Sequence, residues 1–337
     1  MTAPKASVIV PTRNRADVLR RCLQSLTSQR TQADSFEVIV VDNGSTDETA
    51  AVANAFDGPL QLRLLHVHEP GLHCGRHAGW RAARADVLMF ADDDIEAEPG
   101  WVEAVVARFA ADPSVALVGG NNLPLFEHEP PMWLQRWWQQ PVGRGRALGY
   151  LSILDFGAGC FALDPSYVWG CNFNVRRTVL EAARGFHPDG VPAERIRWRG
   201  DGESHIARLV RERGWRTLFD SAASVRHAVT ARRMTSDYFE ERAYAQGVSD
   251  SYTRIRRAGR AVLPWRQQAR AAVRRLVTPL RERGLTRSAP ADAATAQWRT
   301  VLRAVRRAYL RGMAYHQAEV ARDPELLAWV LKEDYLT

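Results

Sequence analysis

The run Val87-Leu88-Met89-Phe90-Ala91-Asp92-Asp93-Asp94 ends an apolar stretch in three consecutive carboxylates. Like charges this close repel one another unless a cation stands among them. Hard oxygen ligands in this number suit Mg²⁺ or Mn²⁺, which keep a few carboxylates and fill their remaining positions with water and phosphate oxygens. A solvated acidic turn capping a helix near Pro99 is the plainer alternative. Asp42 closes a second apolar run in Asp42-Asn43-Gly44-Ser45-Thr46-Asp47, where a carboxylate could accept the imide N–H of a pyrimidine base or merely shape a turn. Arg76 and His77, within the glycine-flanked segment from Gly71 to Gly79, open a helix whose backbone N–H groups and guanidinium can meet phosphate. Asp201, in Arg199-Gly200-Asp201-Gly202-Glu203, reads as a helix cap or as a base for an attacking hydroxyl. His227 closes the strand Ser224–His227 and is either structural or a neutral imidazole completing a carboxylate-held metal site. Gly157-Ala158-Gly159-Cys160-Phe161-Ala162 matches a dinucleotide fingerprint by letter, but Leu163-Asp164-Pro165 follows and no helix opens there.

The elements that position these groups follow from hydrophobic period. Ser7–Val10, Glu37–Val41, Leu60–Val67 and Asp86–Ala91 read as strands; Ala16–Ser28, Ser45–Phe56 and Cys74–Arg84 read as the intervening helices. Such alternation implies right-handed crossovers and an α/β fold with a mostly parallel sheet, whose ligands lie at the carboxyl ends of the strands. Pro11-Thr12-Arg13-Asn14-Arg15, the Asp42 segment and the acidic triad occupy those ends, so polar groups converge on one rim. After Val118 the pattern turns irregular, with Pro124, Pro130, Pro131 and Pro141 around Trp133, Trp137 and Trp138, and reads as a long functional loop. Helices are expected over 177–183 and 201–213, strands near 215–219 and 224–227, and only helical periodicity beyond residue 230.

The chain has 337 residues, 46% hydrophobic and 25% charged, enough for one large or two smaller soluble domains. No stretch is apolar enough to cross a bilayer, and Met1–Lys5 leads straight into a strand, so a cytoplasmic address is expected. The four cysteines, Cys22, Cys74, Cys160 and Cys171, lack zinc-site spacing and are expected as thiols. The net charge of +8 is uneven: residues 251–310 hold fifteen arginines against Glu282 and Asp292, leaving the rest of the chain net negative. Trp265, Ala269, Val273, Leu276 and Leu280 fall on one helical face, and Trp298, Leu302, Val305 and Tyr309 on another, with arginines outside both. These basic amphipathic helices are expected to dock on the rest of the chain or form a homodimer, with peripheral contact to an anionic membrane as the alternative. Charge alone suggests nucleic acid, but no binding module accompanies it, so no nucleic-acid partner is expected.

In order and spacing, Pro11–Arg15, Val40–Asp47, Gly75–Gly79, Phe90–Asp94, Gly170-Cys171-Asn172-Phe173-Asn174-Val175-Arg176-Arg177 and Gly200–Glu203 resemble the family-2 inverting glycosyltransferases of GT-A fold. The resemblance spans roughly residues 5–228, which implies a GT-A domain at 5–228 and a helical basic extension at 229–337. It implies a nucleotide-sugar donor, commonly a UDP-sugar, contacted by Pro11, Thr12, Arg15, Asp42 and Arg76. Asp92 and Asp94 would be the acids of a DxD motif, with Asp92 or Asp93 toward ribose and Asp94 on a divalent Mn²⁺ or Mg²⁺ that His227 also binds. Asp201 would be the catalytic base. This chain has His77 where the family usually has Asn, and Gly200 where it often has Glu. Trp133, Trp137 and Trp169 are taken as acceptor-site candidates because the family's variable loop lies there.

The chemistry these roles describe is metal-assisted departure of a nucleoside diphosphate and deprotonation of an acceptor hydroxyl or amine, with inversion at the sugar. The acceptor would be a glycan, a lipid-linked sugar or a small natural product. A nucleotidyltransferase is the enzymatic alternative, although no glycine-rich phosphate loop stands near the N-terminus. A nucleotide-sugar or carbohydrate-binding protein without turnover is the other.

Overall fold

A computed structural model of the chain describes residues 3–32, 35–262 and 292–336. The β-branched runs form the strands expected of them: β1 (Ala6–Thr12), β2 (Phe36–Asp42), β3 (Gln61–His66) and β4 (Val87–Ala91). β1 pairs in parallel with both β2 and β4, and β2 with β3. Every residue of β1, β2 and β4 is buried, as a sheet covered on both faces requires. The covering helices are α1 (Ala16–Thr27), α2 (Thr49–Asn54) and α3 (Leu72–Ala82). α2 is shorter than its periodicity predicts because Asp42 and Asp47 divert the chain before it. The Asp42 carboxylate accepts the Ser45 N–H at 2.9 Å, Asp47 accepts the Thr49 N–H at 3.0 Å, and Gly44 takes a left-handed φ of 75°.

β5 (Ile95–Ala97) and α4 (Trp101–Ala111) lead to β6 (Val115–Gly119). The stretch that follows is built rather than loose, which corrects the loop reading. It contains β7 (Asn122–Phe126), α5 (Met132–Trp138), β8 (Pro141–Val142), β9 (Gly145–Leu148) and β10 (Ile153–Asp155). After these come β11 (Cys160–Ala162), β12 (Asn172–Arg176), α6 (Arg177–Ala182), α7 (Ser204–Glu212), β13 (Arg216–Asp220) and β14 (Val225–Val229). Two sheets result. The larger, in the order β11-β13-β6-β12-β4-β1-β2-β3, is mixed, because β12 runs antiparallel to both β4 and β6. The smaller runs β5-β14-β7-β10-β9-β8, and its strands are too short and proline-interrupted to announce a period of two.

The segment Asn172–Arg177 proves structural. Trp101 Nε1 donates to Asn172 Oδ1 at 2.9 Å, and Asn174 Nδ2 donates to the Val118 carbonyl at 2.9 Å. Arg176 and Arg177 cap the carbonyls of Val115 and Ala83 at 2.8 and 2.7 Å.

Beyond β14 the regular elements among the described residues are helices: α8 (Ser236–Ala258), α9 (Ala293–Arg322) and α10 (Pro324–Leu331). α8 and α9 cross closely because Gly247 and Gly312 have no side chains; a Cβ on either would run into the Tyr309 or Tyr244 carbonyl of the opposite helix. Val301, Val305 and Ala308 of α9 share one apolar cluster with Leu134 of α5, Ile153 of β10 and Phe239 of α8, while Arg299, Arg303, Arg306 and Arg307 are exposed. The apolar face of the second basic helix is therefore docked within the chain. The first, from Trp265 to Leu280, lies outside the described residues. Among the described residues no helix is long and apolar enough to cross a membrane.

Candidate functional site

The register of the larger sheet sets the rim. Thr12 stands opposite Asp42 across β1 and β2, and Ile9 opposite Phe90 across β1 and β4, so the residues after β1 and β4 leave the sheet side by side. Thr12 Oγ1 donates to Asp93 Oδ2 at 2.7 Å. Arg15 spans two of the acids, with Nη1 2.5 Å from Asp93 and Nη2 3.1 Å from Asp94. Pro11, Thr12, Arg15, Asp92 and Asp93 line one groove of about 290 Å³, together with Asn43 and Gly71. Asp42 lies beneath this rim, 4% exposed, with its oxygens engaged by Ser45 N at 2.9 Å and His66 Nδ1 at 3.3 Å.

β14 carries His227 to the acidic triad, because its neighbour β5 follows Asp94 directly and pairs His227 with Ile95. His227 Nδ1 lies 3.0 Å from the Leu151 carbonyl and Nε2 lies 3.1 Å from Asp94 Oδ1. With the Nδ1 proton given to that carbonyl, Nε2 presents a lone pair to a carboxylate oxygen. Two acceptors face one another at this distance only with a proton or a cation between them. Ligand atoms of Asp92, Asp94 and His227 all fall within 4.8 Å of one another. Adjacent ligands of an octahedral ion with bonds of about 2.1 Å stand about 3 Å apart, so this donor set fits Mg²⁺ or Mn²⁺.

Arg233, from the turn after β14, was not singled out in the sequence. Its Nη1 lies 3.1 Å from Asp94 Oδ2 and 3.4 Å from His227 Nε2. Burial opposes ionisation of Asp94, yet His227, Arg15 and Arg233 together hold its carboxyl well below the usual range. Asp93 is different: burial pushes it up to about 7 against the pull of Arg15.

Arg76 joins this rim to a second space. It is 2% exposed, on α3, with its guanidinium 3.7 Å from Asp92 and 3.2 Å from Glu203 and stacked over Phe186. It lines no part of the groove, so its expected contact with a nucleotide gives way to a bridging position between two carboxylates. His77 beside it is also structural: burial lowers it to about 3, and its Nε2 accepts the Phe186 N–H at 2.8 Å. The second Glu203 oxygen accepts the Gly170 N–H at 3.0 Å, and only a glycine fits there, since a Cβ would collide with Arg76.

Glu203 faces a cavity of about 570 Å³, walled by Trp137, Tyr150 and Trp169 and by Arg208, Arg211 and Arg242. Its side chain keeps 22% exposure. Asp201 is less accessible. It is 8% exposed, and its oxygens are taken by His187 Nδ1 at 2.7 Å, Arg208 Nη2 at 2.6 Å and Thr253 Oγ1 at 2.6 Å. Burial alone would raise its pKa, but the His187 hydrogen bond and the nearby charges reverse this and hold it ionised well below the usual range. Asp201 lines neither the groove nor this cavity but a smaller one of about 370 Å³ that adjoins it at Ser204, Arg208 and Gln246. A carboxylate so committed makes a poor proton acceptor, whereas Glu203, two residues on, faces the larger cavity. The clue in the sequence is the second acid of Gly200-Asp201-Gly202-Glu203, which the first obscured.

The tryptophans divide likewise. Trp137 and Trp169 line the cavity, while Trp133 is 4% exposed and packs edge-on against Phe239 at 5.1 Å, which removes it from the acceptor candidates.

The central mixed sheet with strand-end carboxylates, helices on both faces and helices after β14 defines a protein of GT-A fold. Residues 7–170 match the model of Glycosyl transferase family 2, and this part of the chain is a domain of that family. It is 36% identical over 201 residues to the validoxylamine A glucosyltransferase of Streptomyces hygroscopicus subsp. jinggangensis, covering 55% of this chain and 48% of that one. It is 30% identical over 247 residues to the pre-mycofactocin glycosyltransferase of Mycobacterium tuberculosis, covering 72% of this chain and 46% of the relative. The chain thus matches about half the length of these curated relatives. Among solved structures, the mannosyltransferase PcManGT from Pyrobaculum calidifontis, in complex with GDP-Man and Mn²⁺, superposes with a TM-score of 0.53 at 20% identity, covering 96% of this chain and 87% of that one, a likeness of fold.

Proposed function

We propose that this protein is a metal-dependent, inverting glycosyltransferase that moves a sugar from a nucleotide-sugar, a UDP-sugar by preference, to a hydroxyl or amine of a small acceptor. The observation that carries the reading is the junction at Arg76. On one side stands a strand-end groove with the Asp92, Asp94 and His227 donor set at its edge, and on the other a separate cavity with an accessible carboxylate, Glu203.

Pro11, Thr12, Arg15 and Asp93 bind the nucleoside end in the groove, with Asp92 toward the ribose. Asp94 and His227, with Asp92 beside them, hold the divalent ion. When bound, such an ion supplies charge neutralisation on the departing diphosphate. Arg15 and Arg233 already sit at Asp94 and are placed to turn toward phosphate oxygens. Glu203 takes the proton of the attacking acceptor, and Arg76 orients it. Because base and leaving group lie on opposite sides of the sugar, displacement is single and inverting. Asp201 positions the start of α7, and so Glu203, through His187, Arg208 and Thr253. Residues 5–228 form the catalytic unit, and the extension from 229 supplies one wall of the acceptor cavity through Arg242 and Gln246. The cavity, about 570 Å³, is of the size that small-molecule ligands fill, which supports a small acceptor.

A thermal-shift panel of nucleotide-sugars with and without Mn²⁺ tests the donor half. A ligand at a hundredfold excess over its Kd stabilises by about 3 kcal/mol, so one nucleotide should raise the melting temperature only when Mn²⁺ is present. No nucleotide effect, or one indifferent to metal, would overturn the reading.

A further inference from the structure

The cavity that Glu203 faces carries more positive charge than its own carboxylates answer. Three arginines line it. Arg208 is given to Asp201 at 2.6 Å and Arg211 to Asp164 at 2.5 Å. The third, Arg242 on α8, has no ion pair or hydrogen bond among the described residues, and its Nε is buried without a partner. Glu203, the cavity's own acid, is held by Arg76. Asp189, whose ionisation Arg242 favours, is paired with Arg199 at 2.5 Å.

The imbalance continues along α8. An adjoining cavity of about 370 Å³ shares Ser204, Arg208 and Gln246 with the first and adds the exposed Arg254 and Arg257. Its remaining acid, Asp250, is held by Gln246 Nε2 at 2.8 Å and by Tyr309 Oη at 2.7 Å. A buried guanidinium N–H without an acceptor is destabilising, and an arriving anion removes that penalty. Guanidinium is also the group that pairs best with planar or tetrahedral oxyanions. Trp137, Tyr150 and Trp169 supply the flat apolar wall on which a sugar or cyclitol ring lies.

We propose that the acceptor carries an anionic oxyacid group, phosphoryl or carboxylate, which binds at Arg242 while its ring lies between Trp137 and Trp169 with the attacking hydroxyl at Glu203. The inference rests on the glycosyltransfer reading, since it assigns this cavity to the acceptor. It adds that acceptor specificity is set by an arginine of the C-terminal extension and not by the sheet that binds the donor.

The test uses the full chain loaded with Mn²⁺ and the nucleoside diphosphate that the thermal-shift panel selects, so that the donor groove is filled before any probe is added. Glucose, glucuronate and glucose 6-phosphate are then titrated by calorimetry. The charged probes should bind on the order of tenfold more tightly than glucose, as a charge-assisted hydrogen bond provides, and the order of the two tells carboxylate from phosphoryl. Arg242→Gln should erase that preference and leave the affinity for glucose alone, Arg242→Lys should restore part of it, and Arg20→Gln, on the far side of α1, should behave as wild type. Equal binding of the three probes, no binding of any of them to the loaded protein, or a preference that survives in Arg242→Gln would overturn the proposal. Failure of the nucleoside diphosphate to bind at the outset would instead strike the glycosyltransfer reading.

Discussion

The groove beside Asp92 and the cavity beside Glu203 meet at one buried arginine, yet the chain assembles them by different routes. The groove's walls come almost wholly from the first 95 residues, as successive ends of parallel strands whose register leaves Thr12, Asp42 and Asp93 side by side. The cavity draws on five separated stretches: α5, the turn after β9, the segment before β12, α7 and α8. Strand ends are held by a sheet buried on both faces and have little freedom to change. The cavity's walls are short elements fastened by local hydrogen bonds and aromatic contacts, such as Trp137 against Tyr150 at 5.9 Å. A rigid groove suits a part common to many donors, and a composite cavity suits the part that varies between acceptors.

The comparison is broken most forcefully at the junction. Glu203→Gln should lower transfer by about a thousandfold, the upper range of general-base contributions, while Mn²⁺-dependent nucleotide binding stays as in wild type; the check is initial rate beside thermal shift. Asp201→Asn should do the reverse. It breaks a buried charge pair worth about 3 kcal/mol, so the melting temperature should fall by about 8 °C, with the rate per folded molecule falling far less than in Glu203→Gln. The sign with pH follows from the depressed pKa of Asp201: its stabilisation is present above the ordinary carboxylate range and is lost as pH falls. The deficit of Asp201→Asn should therefore be full at neutral pH and shrink below about pH 4.

On the groove side, Asp94→Asn should weaken Mn²⁺ activation by at least about a hundredfold, because loss of an outer partner alone costs 10–100-fold at metal sites. A metal titration of activity reads this, and an unchanged curve would remove Asp94 from the ligand set. The smallest effect belongs to the cavity wall. Trp137→Ala should raise the acceptor KM about fivefold, the value of one ring contact, with kcat and donor KM kept. Trp133→Ala should instead cost about 3 kcal/mol of stability, measured in urea, with no selective change in acceptor KM.

This contrast also explains what could be read in the chain beforehand. The βαβ pattern, the rim and the triad were legible because each strand-end motif is contiguous and the sheet's register is short-range in consequence. His227 was legible as a strand-end imidazole next to an acidic site. The second sheet was not, because β8 to β10 have two to four residues each and no measurable period. Asp201 and Glu203 could not be told apart as candidate bases, because an acid at a helix entrance looks alike whether it opens to a large cavity or is engaged by neighbours such as His187, Arg208 and Thr253. Arg233 and Arg242 could not be distinguished among forty-odd arginines and lysines without knowing that the fold brings the first to Asp94 and leaves the Nε of the second unpaired.

The claim that Glu203 and the diphosphate site act from opposite sides of one sugar is tested most directly by the configuration of the first product. Donor hydrolysis by the Mn²⁺-loaded protein, followed by proton NMR before the released sugar mutarotates, reports its anomeric centre with water as acceptor. The account predicts that the sugar appears first as the anomer opposite to that in the donor, and that Glu203→Gln slows its appearance. Release of the donor's own anomer would mean two displacements through a covalent intermediate, and would contradict it.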